Sequence, residues 1–392
     1  MDPYINPFAP GAGSRPPELA GRDEILNAAK ISCGRTLRER SARSIMLLGL
    51  RGTGKTVLLN EIGKIAREQG LIVSKFESPE RETLARLLYP EMRKVMRSLS
   101  GLEAARQLAE RGLKGLRNFA AMFKIDISGV EVGVEPEPGL ADSGNIQYDL
   151  PDIFELIGRA AKAVDKGWIL LIDEVQYLSE ADLSALIVAL HRMSQEGLPV
   201  LLVGAGLPQV ARLAGEAKSY AERLFLYPPV DALDSLPATQ AIEKPILDEG
   251  ASIHPDALSE IVKYTKGYPF FLQEWASTAW NNAKGPEITL QDVQHSYAET
   301  LASLDNGFFR VRLDRLTKSE VLFVEKMSEL GDGPYSMADI ANAMGRSQSS
   351  LGPTRASIIH KGMIYSTEHG YLNFTVPLFA EFMRRQKKAV EG

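Results

Sequence analysis

The chain is 392 residues long, 44% hydrophobic and 24% charged, with 33 Gly and 22 Pro, which fits a globular protein of two or three domains and excludes collagen-like or wholly disordered chains. Forty-five Lys and Arg against fifty Asp and Glu leave a net charge of −5, so bulk charge draws it neither to nucleic acid nor to anionic membrane, and any such contact must be local. The single cysteine, Cys33, excludes an intramolecular disulfide and a cysteine-based zinc site, fits a reducing cytoplasm, and reads as a small buried hydrophobe.

The first seventeen residues hold five prolines and no apolar core, so no signal peptide is expected there, only a weakly structured extension. No apolar run approaches the ~20 residues of a membrane span, so no membrane partner is expected. Residues 44–50 (SIMLLGL) read as a buried strand that stops at a glycine-rich stretch and is followed by the helical spacing Val57, Leu58, Ile62, Ile65, Ala66. Strands follow at 71–76, 168–172, 199–203 and 224–227, with a helix over about 179–196 between the third and fourth. Continuous apolar strands alternating with helices predict an α/β fold with a mainly parallel sheet covered on both faces.

Between the second and third strands lies a long insertion, about 80–166. Its first part looks helical and basic: residues 75–124 hold eleven basic and six acidic side chains. Residues 126–155 reverse the sign, with eight acids and no Lys or Arg, and 123–134 (FKIDISGVEVGV) alternates around Ser128-Gly129 as a hairpin would. The two charge blocks are either solvated faces or a contact made by complementary charge. Residues 135–145 read as a second weakly structured stretch.

After Pro228-Pro229 the chain is helical to about Asn306, most clearly over 256–266, 270–283 and 290–304. The last region predicts a helix capped by Thr317 with Glu320, a short helix opened by Ser336 with Asp339, a helix over 353–362, and two strands around His369-Gly370. Helices followed by a β-hairpin describe a winged helix-turn-helix. The expected division is an extension at 1–17, a core at 18–230, a helical lid at 231–306 and a winged helix at 307–392.

Gly49-Leu50-Arg51-Gly52-Thr53-Gly54-Lys55-Thr56 matches G-x-x-x-x-G-K-T between a strand and a helix, the context that a phosphate loop requires. Its main-chain N–H groups would cradle phosphates, Lys55 would reach the β- and γ-phosphates, and the Thr56 hydroxyl would ligate Mg²⁺. The strand at 168–172 runs into Asp173 and Glu174. An acid beside a phosphate loop would hold Mg²⁺ through Asp173, leaving Glu174 to polarise an attacking water.

These residues resemble the AAA+ ATPases, and within them the origin-recognition/initiator clade and its relatives, the STAND signalling ATPases. Pro17-Glu18-Leu19-Ala20-Gly21-Arg22-Asp23-Glu24 is similar to the motif those families place over adenine, which implies that Leu19, Gly21 and Arg22 border the base. Gly267-Tyr268-Pro269 is similar to their Gly-x-Pro lid motif, which implies nucleotide contact by Tyr268 and Pro269. Arg223 lies where they carry an arginine that reaches a γ-phosphate, with Arg212 the weaker candidate. The resemblance implies ATP or ADP with Mg²⁺ as cofactors, a β-sheet in AAA+ order, ATPase activity, and a homo-oligomer or protein partner.

Two departures point to slow hydrolysis: the end of the fourth strand is Gly204-Ala205-Gly206 where the family has a polar sensor, and no arginine follows Gly267 on the lid before Lys284. Duplex DNA would be met by Arg346, Arg355 and Lys361, although 316–392 holds nine basic and eight acidic residues where DNA-binding modules are clearly basic. The leading expectation is an ATP switch acting on DNA or a DNA-bound complex. The alternative is a STAND-type switch whose output is protein association. A small-molecule kinase would leave Glu174 and the winged helix unexplained.

Overall fold

The computed structural model describes residues 1–11, 13–126 and 137–391, with side chains through 387. The hairpin expected around Ser128-Gly129 lies outside the described residues. The chain divides into two compact units, one of residues 23–48 and 55–229, the other of residues 1–22, 49–54 and 230–392.

The first unit begins with α1 (Asp23–Leu37), β1 (Ser44–Leu48), α2 (Lys55–Glu68) and β2 (Leu71–Glu77). The insertion supplies α3 (Leu84–Ser100), α4 (Arg106–Met122) and α5 (Ile146–Lys162). Then come β3 (Gly167–Asp173), α6 (Glu180–Gln195), β4 (Val200–Gly206), α7 (Val210–Ala217), α8 (Ala221–Leu224) and β5 (Phe225–Leu226). All five strands are parallel, in the order β2-β3-β4-β1-β5 that the resemblance implies. β4 thus separates the strand that leads into the phosphate loop from the strand that ends in Asp173.

Every residue of β3 and β4 is buried, as unbroken apolar runs require when helices cover both faces of a sheet. Trp168 on β3 packs edge-on against Phe154 of α5 at 4.8 Å and donates its indole N–H to Ser74 Oγ at 3.1 Å, so its one polar atom is satisfied.

Much of the acidic block is used inside this unit. Asp149 is buried and accepts from Ser143 and Gly144, fixing the entry to α5. Asp152 and Glu155 of α5 face Arg192 of α6, and Glu155 also pairs with Arg159 at 2.7 Å. Residues 137–145 form neither helix nor strand, yet Asn118 of α4 holds the carbonyls of Glu137 and Leu140.

The second unit contains α9 (Ser235–Asp248), β6 (Ser252–Ile253), α10 (Pro255–Thr265), α11 (Pro269–Asn282), β7 (Glu287–Ile288) and α12 (Leu290–Ser303). A π-helical turn (Leu304–Arg310) leads to α13 (Val311–Leu313), α14 (Lys318–Glu329), β8 (Tyr335–Ser336), α15 (Met337–Met344) and α16 (Gln348–His360). β9 (Ile364–Ser366), β10 (Tyr371–Phe374) and α17 (Phe379–Glu391) complete it. The last three strands form an antiparallel sheet ordered β8-β10-β9, and β6 pairs with β7. One hydrophobic core runs from Phe271 and Trp280 on α11 through Phe309 to Phe379 and Phe382 on α17.

Two expectations are corrected. The first nine residues are docked, with Phe8 buried in this core, Asn6 Nδ2 bonded to Ser277 O and Asn281 Oδ1, and the Trp280 indole N–H donating to Asp2 O. The Met1 amino group and the Ala9 N–H add bonds to Trp280 O and Gln273 Oε1, and prolines pre-extend the segment and lower the entropy lost on docking. The helix expected at 353–362 begins at Gln348, where the Ser347 side chain caps it by accepting from Ser350 N–H. Pro353 lies inside it and forfeits one intrahelical bond, which the cap offsets.

Candidate functional site

The end of β1 delivers the chain to Gly49, where any side chain is excluded: a Cβ would lie 2.1 Å from Val230 O and 2.8 Å from Thr53 Oγ1. Gly52 and Gly54 have φ of 81° and 93°, the left-handed region that favours glycine. Thr53 is buried and closes the loop by donating to Leu50 O at 2.9 Å. Lys55 and Thr56 then open α2, whose first N–H groups and positive dipole end favour an anion.

The loop is held from three directions within the second unit. The buried Arg22 guanidinium donates to Asp231 O at 2.6 Å and to Thr53 O at 3.3 Å. Desolvation lowers its pKa, opposed by the charge of Asp231. Phe270 N–H donates to Gly52 O at 3.2 Å, directly after the Gly267-Tyr268-Pro269 turn in which Tyr268 caps α11 and Pro269 takes its first position. Arg51 N–H donates to Thr375 O at 2.9 Å, just beyond β10. Thr375 is itself buried, with its hydroxyl on Gly362 O.

The main-chain N–H of Arg51, one of the residues expected at the phosphates, is thus directed to Thr375. Gly21 adopts φ 67° with Pro237 against its Cα, where a Cβ would come within 2.8 Å, and Leu19 is half-buried. Burial, followed by the negative charge of Asp231, raises the Tyr268 phenol.

In the first unit, Thr56 Oγ1 donates to Asp173 Oδ2 at 2.6 Å, so the two residues expected to hold a metal are in direct contact. Asp173 is buried at the end of β3, and its other oxygen accepts the Glu174 N–H at 2.9 Å. Glu174 adopts a left-handed backbone, φ 55° and ψ 41°, which costs about 1 kcal/mol and turns its side chain out of the strand register. A hydroxyl and a carboxylate suit Mg²⁺, which prefers oxygen ligands and keeps its remaining positions for water and phosphate.

Sequence reasoning missed Gln176. Its side-chain N–H donates to Glu174 Oε2 while its Oε1 accepts Leu207 N–H at 3.1 Å, so the amide spans from the carboxylate to the exit of β4. A Cβ on Gly206 would lie 2.9 Å from Gln176 Oε1, and one on Gly204 would lie 2.4 Å from Met46 Sδ. The one signal of Gln176 is a polar residue two places after Glu174 in an otherwise apolar segment.

The remaining candidates are scattered. Arg223 is exposed on α8, and Arg212 pairs with Glu216 at 2.7 Å on α7. Arg346 is exposed after α15. Arg355 donates to Ser366 Oγ at 3.0 Å, and Lys361 Nζ bonds Glu320 Oε2 at 2.7 Å and Arg315 O at 3.0 Å. Glu320 is buried. Burial pushes its carboxyl up, but Lys361, Ser357 and Thr317 outweigh burial and hold it at about 2.

Residues 18–203 match the AAA ATPase domain, and residues 306–383 match a domain of unknown function, DUF8462. No curated protein matches the sequence. Among solved structures, the chain is similar to a Walker-type ATPase of Pyrococcus abyssi at 17% identity, covering 94% of this chain and 97% of that one with a TM-score of 0.53. The Thermotoga maritima RuvB Holliday junction branch migration motor is similar at 14% identity, over 97% and 98% of the two chains, with a TM-score of 0.47. The Aeropyrum pernix ORC1 protein, solved in complex with DNA, is similar at 14% identity over 95% and 94%, with a TM-score of 0.45. The fold is that of a P-loop AAA+ core.

Proposed function

We propose that the chain is an ATP-binding, slowly hydrolysing AAA+ switch. The observation that carries this is the 2.6 Å contact of Thr56 with Asp173, because it sets both metal-side oxygens at the head of the phosphate-loop helix before any ligand arrives. Lys55 meets the β- and γ-phosphates, and the glycine-shaped loop offers main-chain N–H groups to them. Mg²⁺, when bound, neutralises phosphate charge and orients the triphosphate. Glu174 accepts the proton of the attacking water, held in place by Gln176. Slow turnover follows from Gly204 and Gly206, which present no side chain to a γ-phosphate.

The order of helices and strands from α14 to β10 supports a winged-helix reading. For its output, the engagement of Lys361 by Glu320 and of Arg355 by Ser366 favours protein association over DNA contact by α16. The Arg51 link to Thr375 supports a C-terminal region that responds to the loop. Arg223 would then act on a second copy of the chain.

Calorimetry with Lys55→Ala tests the reading. Losing the charge that faces the phosphates removes about 3 kcal/mol, so ATP affinity falls at least ~100-fold. Unchanged affinity would overturn the assignment.

A further inference from the structure

Residues 30–43, the second half of α1 and the segment leading into β1, hold Lys30, Arg35, Arg38, Arg40 and Arg43 against a single acid, Glu39. This is the sign opposite to the chain's net charge of −5. All five cations are exposed. The Glu39 carboxylate is occupied by Lys162 at 2.8 Å, and among the described residues none of the five cations enters an ion pair.

Local bonds shape the segment. Arg35 Nε donates to Ser41 O and Arg38 donates to Gly34 O, both at 2.9 Å, which folds the connection back over the end of α1. Two adjoining grooves result, of about 830 and 470 Å³, meeting at Ile31 and Arg35. Lys30, Arg38 and Arg40 line the first, and Arg43 the second. Complementing the C-terminal dipole of α1 explains a cation in its last turn, Arg35, and the adjacent Arg38. It does not explain Lys30, Arg40 and Arg43.

Four of the five are arginines, whose planar fork matches phosphate oxygens two at a time. Among the described residues no aromatic side chain lines the grooves, which argues against a protein interface core, rich in aromatics and poor in charge, and equally against stacking of single-stranded bases. We propose that this surface binds the phosphate backbone of duplex DNA without reading its sequence. In the chain it precedes β1, whereas the phosphate loop follows it.

The test is fluorescence anisotropy of a labelled 30-base-pair duplex with the full chain, in ADP, from 50 to 200 mM salt. Five neutralised phosphates give a log–log slope near −4.5, so affinity falls about 500-fold across that range. The triple variant Arg38→Ala, Arg40→Ala, Arg43→Ala keeps two contacts and falls only about 12-fold. Its ATP affinity by calorimetry and its circular dichroism should stay as in the parent, which separates this proposal from the nucleotide reading. Arg346→Ala should leave the slope unchanged. Absence of binding at 50 mM salt, a slope unaltered in the triple variant, or binding of polyglutamate but not duplex would each overturn the proposal.

Discussion

Gly49–Gly54 and Lys55–Thr56 adjoin in the sequence, yet they are held by different partners. Three of the six loop residues, Arg51, Gly52 and Thr53, are fastened through their main-chain atoms to Thr375, Phe270 and Arg22, all from the unit that also holds residues 230–392. The two that follow start α2, and Thr56 is fastened to Asp173 at the end of β3. The loop's shape is therefore set by elements that carry no reacting group, and its chemistry by the sheet. Changes on the first side should alter how tightly nucleotide is held; on the second, Lys55 serves binding through its charge, whereas changes at the end of β3, from Asp173 to Gln176, should alter how fast it turns over.

The sharpest way to break this division is Glu174→Gln. An amide keeps the size of the carboxylate and cannot take a proton, so single-turnover hydrolysis should slow at least ~100-fold while ATP affinity by calorimetry is unchanged. Weaker ATP binding in this variant would show that the sheet side also sets affinity.

Next in size is Lys361→Ala, which probes the fold of the C-terminal part alone. It leaves the buried Glu320 carboxylate without its cation and should lower stability by about 3 kcal/mol at pH 7 in urea unfolding. Glu320 titrates at about 2 in the folded chain, below its unfolded value, so its contribution is complete above pH ~4.3 and disappears as pH falls toward 2. The gap between parent and variant should close over that same interval; a constant gap would assign the loss to something other than the ion pair.

Arg22→Ala removes the guanidinium that joins the loop carbonyl of Thr53 to that of Asp231, and ATP affinity should fall roughly tenfold, about 1.4 kcal/mol, with kcat little changed. A drop in kcat without a drop in affinity would invert the comparison. Gln176→Ala should do the reverse by freeing the Glu174 carboxylate, lowering kcat about fivefold at constant affinity. Gln176→Glu should be worse than Gln176→Ala, since it sets a second negative charge against Glu174.

What was legible in the sequence follows the same divide. Strands β1, β3 and β4 are nearly unbroken apolar runs, β2 opens on one, and the phosphate loop has fixed spacing, so all appear in the order of residues alone. The strand order does not, because spacing cannot tell which strand lies beside which; only the resemblance supplied it. The docking of the first nine residues was invisible because Phe8, Asn6 and Asp2 meet partners that lie more than 200 residues later. Gln176 was invisible for a related reason: its importance lies in reaching Leu207, a contact that exists only once β3 and β4 are adjacent.

The bond from Arg51 to Thr375 joins two peptide groups and no side chains. It is therefore silent to substitution: almost any amino acid at either position keeps the same N–H and the same carbonyl. An alanine scan would pass over it, and drift at both positions could erase every trace of kinship while leaving the linkage intact. Only taking away the N–H itself, with proline at position 51 or an ester in place of that amide, cuts the connection. The tie between loop and C-terminal region is thus written in backbone geometry, where neither comparison of sequences nor ordinary mutagenesis can read it.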